Sequence, residues 1–161
     1  MNRLEFAIQM ENDGQKFYSE LAEANKDNRL STLFRKLAND EKIHAEILSK
    51  RLKDLPYELS DNEELLKYEN AFASNREMKN DIRSTLTQLD VYQAVLDREL
   101  KSIELYQDMR QNANQGKDKI LLDFLVFQET AHAKIFQGLV ELLERPEEWV
   151  EDAEFGIRDE Y

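Results

Sequence analysis

The chain has 161 residues, a length that favours one domain with a continuous core and no need of disulfide staples. Lys and Arg total 22 against 34 Asp and Glu, a formal charge of -12, which repels phosphate backbones and anionic membrane surfaces and makes nucleic acid a poor partner. Cysteine is absent, so thiolate chemistry and Cys-ligated zinc or iron–sulfur clusters are excluded, and any metal must sit on oxygen and nitrogen ligands.

The N-terminus, Met1-Asn2-Arg3-Leu4-Glu5, lacks the apolar run of a signal peptide, and the most apolar stretch, 120–127, is short and broken by Asp123. A soluble cytoplasmic protein is the expectation. With four glycines and two prolines, and with apolar residues recurring at steps of three and four, the chain reads as all-α, with helices over about 2–25, 30–53, 84–112 and 117–144.

The first stripe, Leu4, Ala7, Ile8, Glu11, Gly14, Tyr18, Leu21, Ala22, carries an acid on its apolar face. The second runs Leu30, Leu33, Phe34, Leu37, Ala38, Glu41, His44, Ala45, Leu48 and carries a Glu-x-x-His pair. Residues 54–83 begin at Leu55-Pro56 and hold a capping box at Ser60-x-x-Glu63, where a short helix is predicted. The third stripe, from Tyr92 through Glu99 and Ser102 to Tyr106, repeats the first, and the fourth, from Leu121 through Glu129 and His132 to Leu143, repeats the second.

The repeat has a fixed offset of 88, which maps Glu11 to Glu99, Tyr18 to Tyr106, Glu41 to Glu129 and His44 to His132. A helical hairpin has been duplicated. Turn residues at Asn25-Lys26-Asp27-Asn28 and Asn112-Ala113-Asn114-Gln115-Gly116 lie near the midpoint between each lone Glu and its Glu-x-x-His pair. Each hairpin therefore brings its own three side chains to one height. In a bundle of two such hairpins the second and third helices run parallel, so the link between them must cross a bundle about 35 Å long. Residues 1–145 are expected to form this bundle, and 146–161 an acidic tail with Trp149, Phe155 and Tyr161 that packs on the bundle or on a neighbouring subunit.

Four carboxylates and two imidazoles in an apolar core cost several kcal/mol, by rough estimate, unless something neutralises them. Two divalent metals balance four glutamates, and so does a diferric pair with one bridging oxide. A Glu from each of two helices plus Glu-x-x-His from each of the other two is the ligand pattern of di-iron and di-manganese carboxylate bundles. Glu41 and Glu129 would bridge the metals, Glu11 and His44 would cap one, and Glu99 and His132 the other. Hard oxygen and imidazole favour iron or manganese, and zinc can occupy such sites. A single Glu-x-x-His is weak evidence, because any His here has about a one-in-eight chance of a Glu three residues earlier. Both histidines of the chain have that Glu, on an apolar stripe, with a lone Glu 30 residues before it.

Tyr18 and Tyr106 are read either as hydrogen-bond donors to ligand carboxylates or as ordinary core aromatics. Asp40 and Gln128, each four residues before a His, are candidates for the layer behind the ligands, with Gln128 expected to face solvent. Gly14 and Ser102, each three residues after a lone Glu, would leave room for a diatomic ligand.

On Ala7-Ile8-x-x-Glu11 with Phe17-Tyr18, Leu37-Ala38-x-Asp40-Glu41-x-x-His44-Ala45, Glu99 with Tyr106, and Glu129-x-x-His132-Ala133, residues 2–144 resemble the ferritin-like superfamily and, within it, the rubrerythrin-like di-iron proteins. The resemblance implies a ferritin-like four-helix bundle whose two iron ions react with peroxide or dioxygen, in a homodimer or larger assembly. Typical rubrerythrins carry a rubredoxin domain with four cysteines, and this chain has none, so an external electron donor is implied. Ser102 stands where rubrerythrins have an extra Glu. The six ligands also resemble bacterioferritin-like ferroxidase centres, which makes iron oxidation and storage the rival reading. Against it, Lys42 stands where those proteins have a haem-ligating methionine, and the residues after Glu144 make a poor fifth helix.

Overall fold

Asn2 starts the first helix: its side-chain oxygen accepts the Glu5 backbone N–H at 2.8 Å, satisfying one of the donors that a helix start leaves open. The computed structural model describes residues 1–27, 29–60, 65 and 88–144. Within them lie four helices, α1 Arg3–Ala24, α2 Leu30–Leu52, α3 Gln88–Gln111 and α4 Gly116–Glu144, in an all-α bundle. The expected boundaries hold to within about two residues wherever the residues are described. Gly116, expected in the turn, is already the first residue of α4. The capping box at 60–63, residues 84–87 and the 146–161 tail fall outside the described residues, wholly or in part.

The end of α2 is set by local chemistry. Asp54 takes a left-handed φ of 57°, the Leu55 N–H donates to the Lys50 carbonyl at 2.7 Å, and the Asp54 N–H donates to the Arg51 carbonyl at 3.1 Å. This double closure usually falls to glycine, and Asp is among the few other residues that tolerate it. Pro56 follows and cannot continue a helix.

Helices α1 and α2 pack as one hairpin and α3 and α4 as the other. The two hairpins meet across the bundle through α1 with α3, where Tyr18 bonds Glu99 and Tyr106 bonds Glu11, and through α2 with α4, where His44 and His132 reach the opposite helix. In both pairs rising numbers on one helix meet falling numbers on the other, so both are antiparallel, and α2 and α3 are therefore parallel. Most of the expected crossover, residues 61–64 and 66–87, lies outside the described residues. Tyr57 and Leu59 pack against the apolar cluster at one end, and Leu65 is buried in the cluster at the other.

The core is two apolar clusters rather than one. The first holds Leu30, Leu33, Phe34, Leu37, Tyr92 and Phe136. The second holds Ala7, Leu48, Met109, Leu121, Leu122 and Leu125. Between them lies a layer of buried acids and histidines, which is where the stripes of all four helices are interrupted. Among the described residues no helix is long and apolar enough to cross a membrane.

Candidate metal centre

Each helix contributes to the middle layer what its stripe places there: α1 gives Glu11, α2 gives Glu41 and His44, α3 gives Glu99, and α4 gives Glu129 and His132. All six are at most 3% exposed. They fall into two overlapping groups whose potential ligand atoms lie within 4.8 Å of one another, Glu11, Glu41, His44 and Glu129 in one and Glu41, Glu99, Glu129 and His132 in the other. Glu41 and Glu129 belong to both groups. Residues three apart on a helix share a face, which is why each Glu-x-x-His pair can serve a common centre.

Both imidazoles point Nδ1 at this centre. His44 Nδ1 lies 3.0 Å from Glu129 Oε1 and 3.4 Å from Glu11 Oε2. His132 Nδ1 lies 3.1 Å from Glu41 Oε1 and 3.7 Å from Glu99 Oε2. The other ring nitrogen faces outward to the opposite hairpin: His132 Nε2 to Asp40 Oδ2 at 3.1 Å, and His44 Nε2 to Gln128 Oε1 at 3.2 Å. A carboxylate or amide oxygen only accepts, so Nε2 donates outward in both rings, and Nδ1, which faces the glutamates, is the atom a metal would take in exchange for its proton.

Gln128 is thus not solvent-facing: it is 4% exposed, as is Asp40. An amide beside an apolar stripe reads as surface in sequence. The crossing of α2 and α4 turns it inward, where the His44 ring supplies its partner. The duplication could have found it, because the offset of 88 maps Asp40 onto Gln128. Tyr18 and Tyr106 are buried, and their hydroxyls donate to Glu99 and Glu11. Each tyrosine holds the glutamate of the other hairpin, a crossing that spacing within one hairpin does not reveal.

The electrostatics follow from six ionisable groups sharing one dry volume. Burial opposes a charged His44, yet its bonds to Glu129 and Glu41 outweigh that and push it up to about 10. Burial likewise opposes a charged His132, yet its bonds to Asp40, Glu129, Glu41 and Glu99 raise it well above its ordinary value. Burial and the neighbouring charges of Glu41 and Glu99 raise the Glu129 carboxyl. Glu41 is lowered, because hydrogen bonds from His132 and His44 overcome its burial. Protons here do what cations would do, since they offset a cluster of buried carboxylates. They do so incompletely. Glu11 Oε2 and Glu99 Oε2 are buried and accept no hydrogen bond, the condition expected of an oxygen whose partner is a metal. The residues present therefore fit a pair of metal ions.

On the side of α1 and α3 the centre opens into a cavity of about 10 Å³, bounded by Glu11, Glu41, Glu99, Gly14 and Ser102, roughly the room one water-sized molecule needs. A Cβ on Gly14 would stand 3.4 Å from the Glu41 side chain, so any larger residue there would fill the space beside that carboxylate. The Ser102 hydroxyl is turned to the Arg98 carbonyl at 3.1 Å.

A family model for rubrerythrin matches residues 2–140, a span that includes all six side chains of the centre. The chain belongs to the rubrerythrin family. No curated protein and no solved structure matches it. The matched span holds the four acids and two histidines of the centre, and its position 102 is a serine whose hydroxyl engages its own helix.

Proposed function

We propose that this chain is a non-haem di-iron oxidoreductase that reduces hydrogen peroxide, or dioxygen, with Glu11, Glu41, His44, Glu99, Glu129 and His132 as the metal ligands. The reading rests on one observation above all: two four-residue ligand groups that overlap in Glu41 and Glu129, inside a chain of the rubrerythrin family. In this assignment Glu41 and Glu129 would be shared by both ions, Glu11 with His44 would hold one, and Glu99 with His132 the other. Manganese or zinc suits the same donors, and elemental analysis with the absorbance of the oxidised protein distinguishes them.

When bound, an iron pair supplies the two electrons that, with two protons, convert hydrogen peroxide to two molecules of water. The chain's own residues prepare the place for that exchange. Tyr18 and Tyr106 fix the two terminal carboxylates, Asp40 and Gln128 fix the imidazole rings, and the apolar clusters on either side keep bulk water out. The small cavity beside Gly14 and Ser102 gives a water-sized molecule a place next to Glu11, Glu41 and Glu99. Electrons come from an external donor, because the chain has no cysteine to hold a second iron site. The working form is a homodimer or larger assembly in the cytoplasm, with no nucleic-acid or membrane partner. Exposed Ile120 and Phe127, with half-buried Phe124 and Ala131 between and beyond them, make an apolar stripe on α4 that favours association.

Stopped-flow mixing of the reduced, iron-loaded chain is the test. Peroxide should be consumed much faster than dioxygen, and a diferrous protein inert to peroxide sinks the reading. If instead ferrous iron is taken up in large excess over two per chain and the particle elutes as a shell of many subunits, the protein is an iron-storage ferroxidase.

A further inference from the structure

The two ligand groups are matched almost atom for atom. Each has one terminal glutamate held by a tyrosine of the opposite hairpin, the same two shared glutamates, and one imidazole turned inward through Nδ1. Behind the imidazoles the match ends. The proton on His132 Nε2 is taken by a carboxylate, Asp40, at 3.1 Å, and the proton on His44 Nε2 by an amide, Gln128, at 3.2 Å. Both acceptors are 4% exposed, so they differ in charge and not in burial.

We infer that Asp40 makes the two metal positions unequal, the one beside Glu99 and His132 binding a divalent cation more tightly than the one beside Glu11 and His44. The inference rests on the di-metal reading and deepens it. A carboxylate on the outer nitrogen draws the Nε2 proton toward itself and raises the electron density on Nδ1, making that imidazole the stronger donor. It also places a full negative charge behind the ring, in a dry interior where water screens little. An amide oxygen supplies the hydrogen bond without the charge. Asp40 precedes Glu41 directly, so the residue that backs one histidine is carried on the helix segment whose glutamate belongs to both ligand groups.

The experiment is a titration of the metal-free full-length chain with cobalt(II), followed by calorimetry and by the visible absorption of the bound ion. Two binding steps separated by at least about tenfold are expected. In crystals given one cobalt per chain, anomalous density should appear beside His132. Asp40→Asn should weaken the first step by about 10–100-fold and leave the second in place. Gln128→Glu should strengthen the second step and bring it toward the first. Two cobalt ions bound with a single affinity by the wild type, or both steps shifted equally by Asp40→Asn, overturns the inference while the di-metal reading stands. Fewer than two cobalt ions per chain at saturation removes that reading too. If Asp40→Asn does not fold, Gln128→Glu decides alone, and an unmoved second step is the overturning result.

Discussion

At one end of the bundle Phe34, Tyr92 and Phe136 pack ring against ring at centroid distances of 6.0 to 6.2 Å. One to two turns along the same helices, four glutamates and two histidines crowd a volume just as dry. The first region stabilises the fold whatever else is bound, because it removes apolar surface from water. The second is tolerable only with positive charge inside it, because four desolvated carboxylates repel one another, and protons on the two imidazoles supply part of that charge. One bundle thus contains a region that holds the chain together and a region that the first holds in place. This division is why a cluster of buried acids and histidines can be held in place by packing on either side of it.

The largest effect that would break this comparison is on metal content. Glu41→Ala or Glu129→Ala should take the metal-to-chain ratio from two to well below it, since each removes a shared ligand. A ratio near two by elemental analysis in either variant contradicts the bridging assignment. Next in size, Phe136→Ala should destabilise the chain by about 3–5 kcal/mol in urea unfolding, equally with and without metal. A loss confined to the metal-free form would mean the clusters and the centre are not separable.

The pH response sharpens the same contrast. His44 is raised from its ordinary 6.5 to about 10, and Glu129 is raised as well. Both favour the protonated folded state, so the His44 contribution is complete below about pH 6.5 and is lost as pH climbs toward 10. The metal-free protein should therefore melt at progressively lower temperature over that window. With metals bound, cations replace those protons and the melting temperature should stay nearly level. A metal-free melting curve that is flat or rising from pH 6.5 to 10 contradicts the proton-for-metal exchange. The smallest effect concerns the bundle's end, where the Arg51 guanidinium grips Asp118 of α4 at 2.5 and 3.1 Å. Arg51→Ala should cost about 1 kcal/mol, reduced by salt, with the metal ratio unchanged.

Much of the centre was legible before any coordinates. Glu11 with Glu99, and each Glu-x-x-His with its repeat, stand out because an acid on an apolar stripe breaks the 3.6-residue pattern, and the same break at a constant offset is hard to reach by chance. The parallel run of α2 and α3 was legible from the pairing of the two hairpins. Gln128 was misread because amphipathic periodicity ranks an amide with the surface and carries no signal for a partner on another helix. The crossing of Tyr18 to Glu99 and Tyr106 to Glu11 was hidden for a related reason: both tyrosines belong to the correct stripes, but a stripe does not say which hairpin it will face.

The sequence by itself determined four helices, their pairing into two hairpins and the six side chains that meet at mid-height, because helical periodicity and a duplicated spacing are properties of one strand of chain read in order. Only the tertiary structure decided which imidazole is backed by an anion and which by a neutral amide. Hydrogen bonds between helices distant in sequence depend on how two packed surfaces cross, and that crossing is settled by the shapes of all the side chains between them.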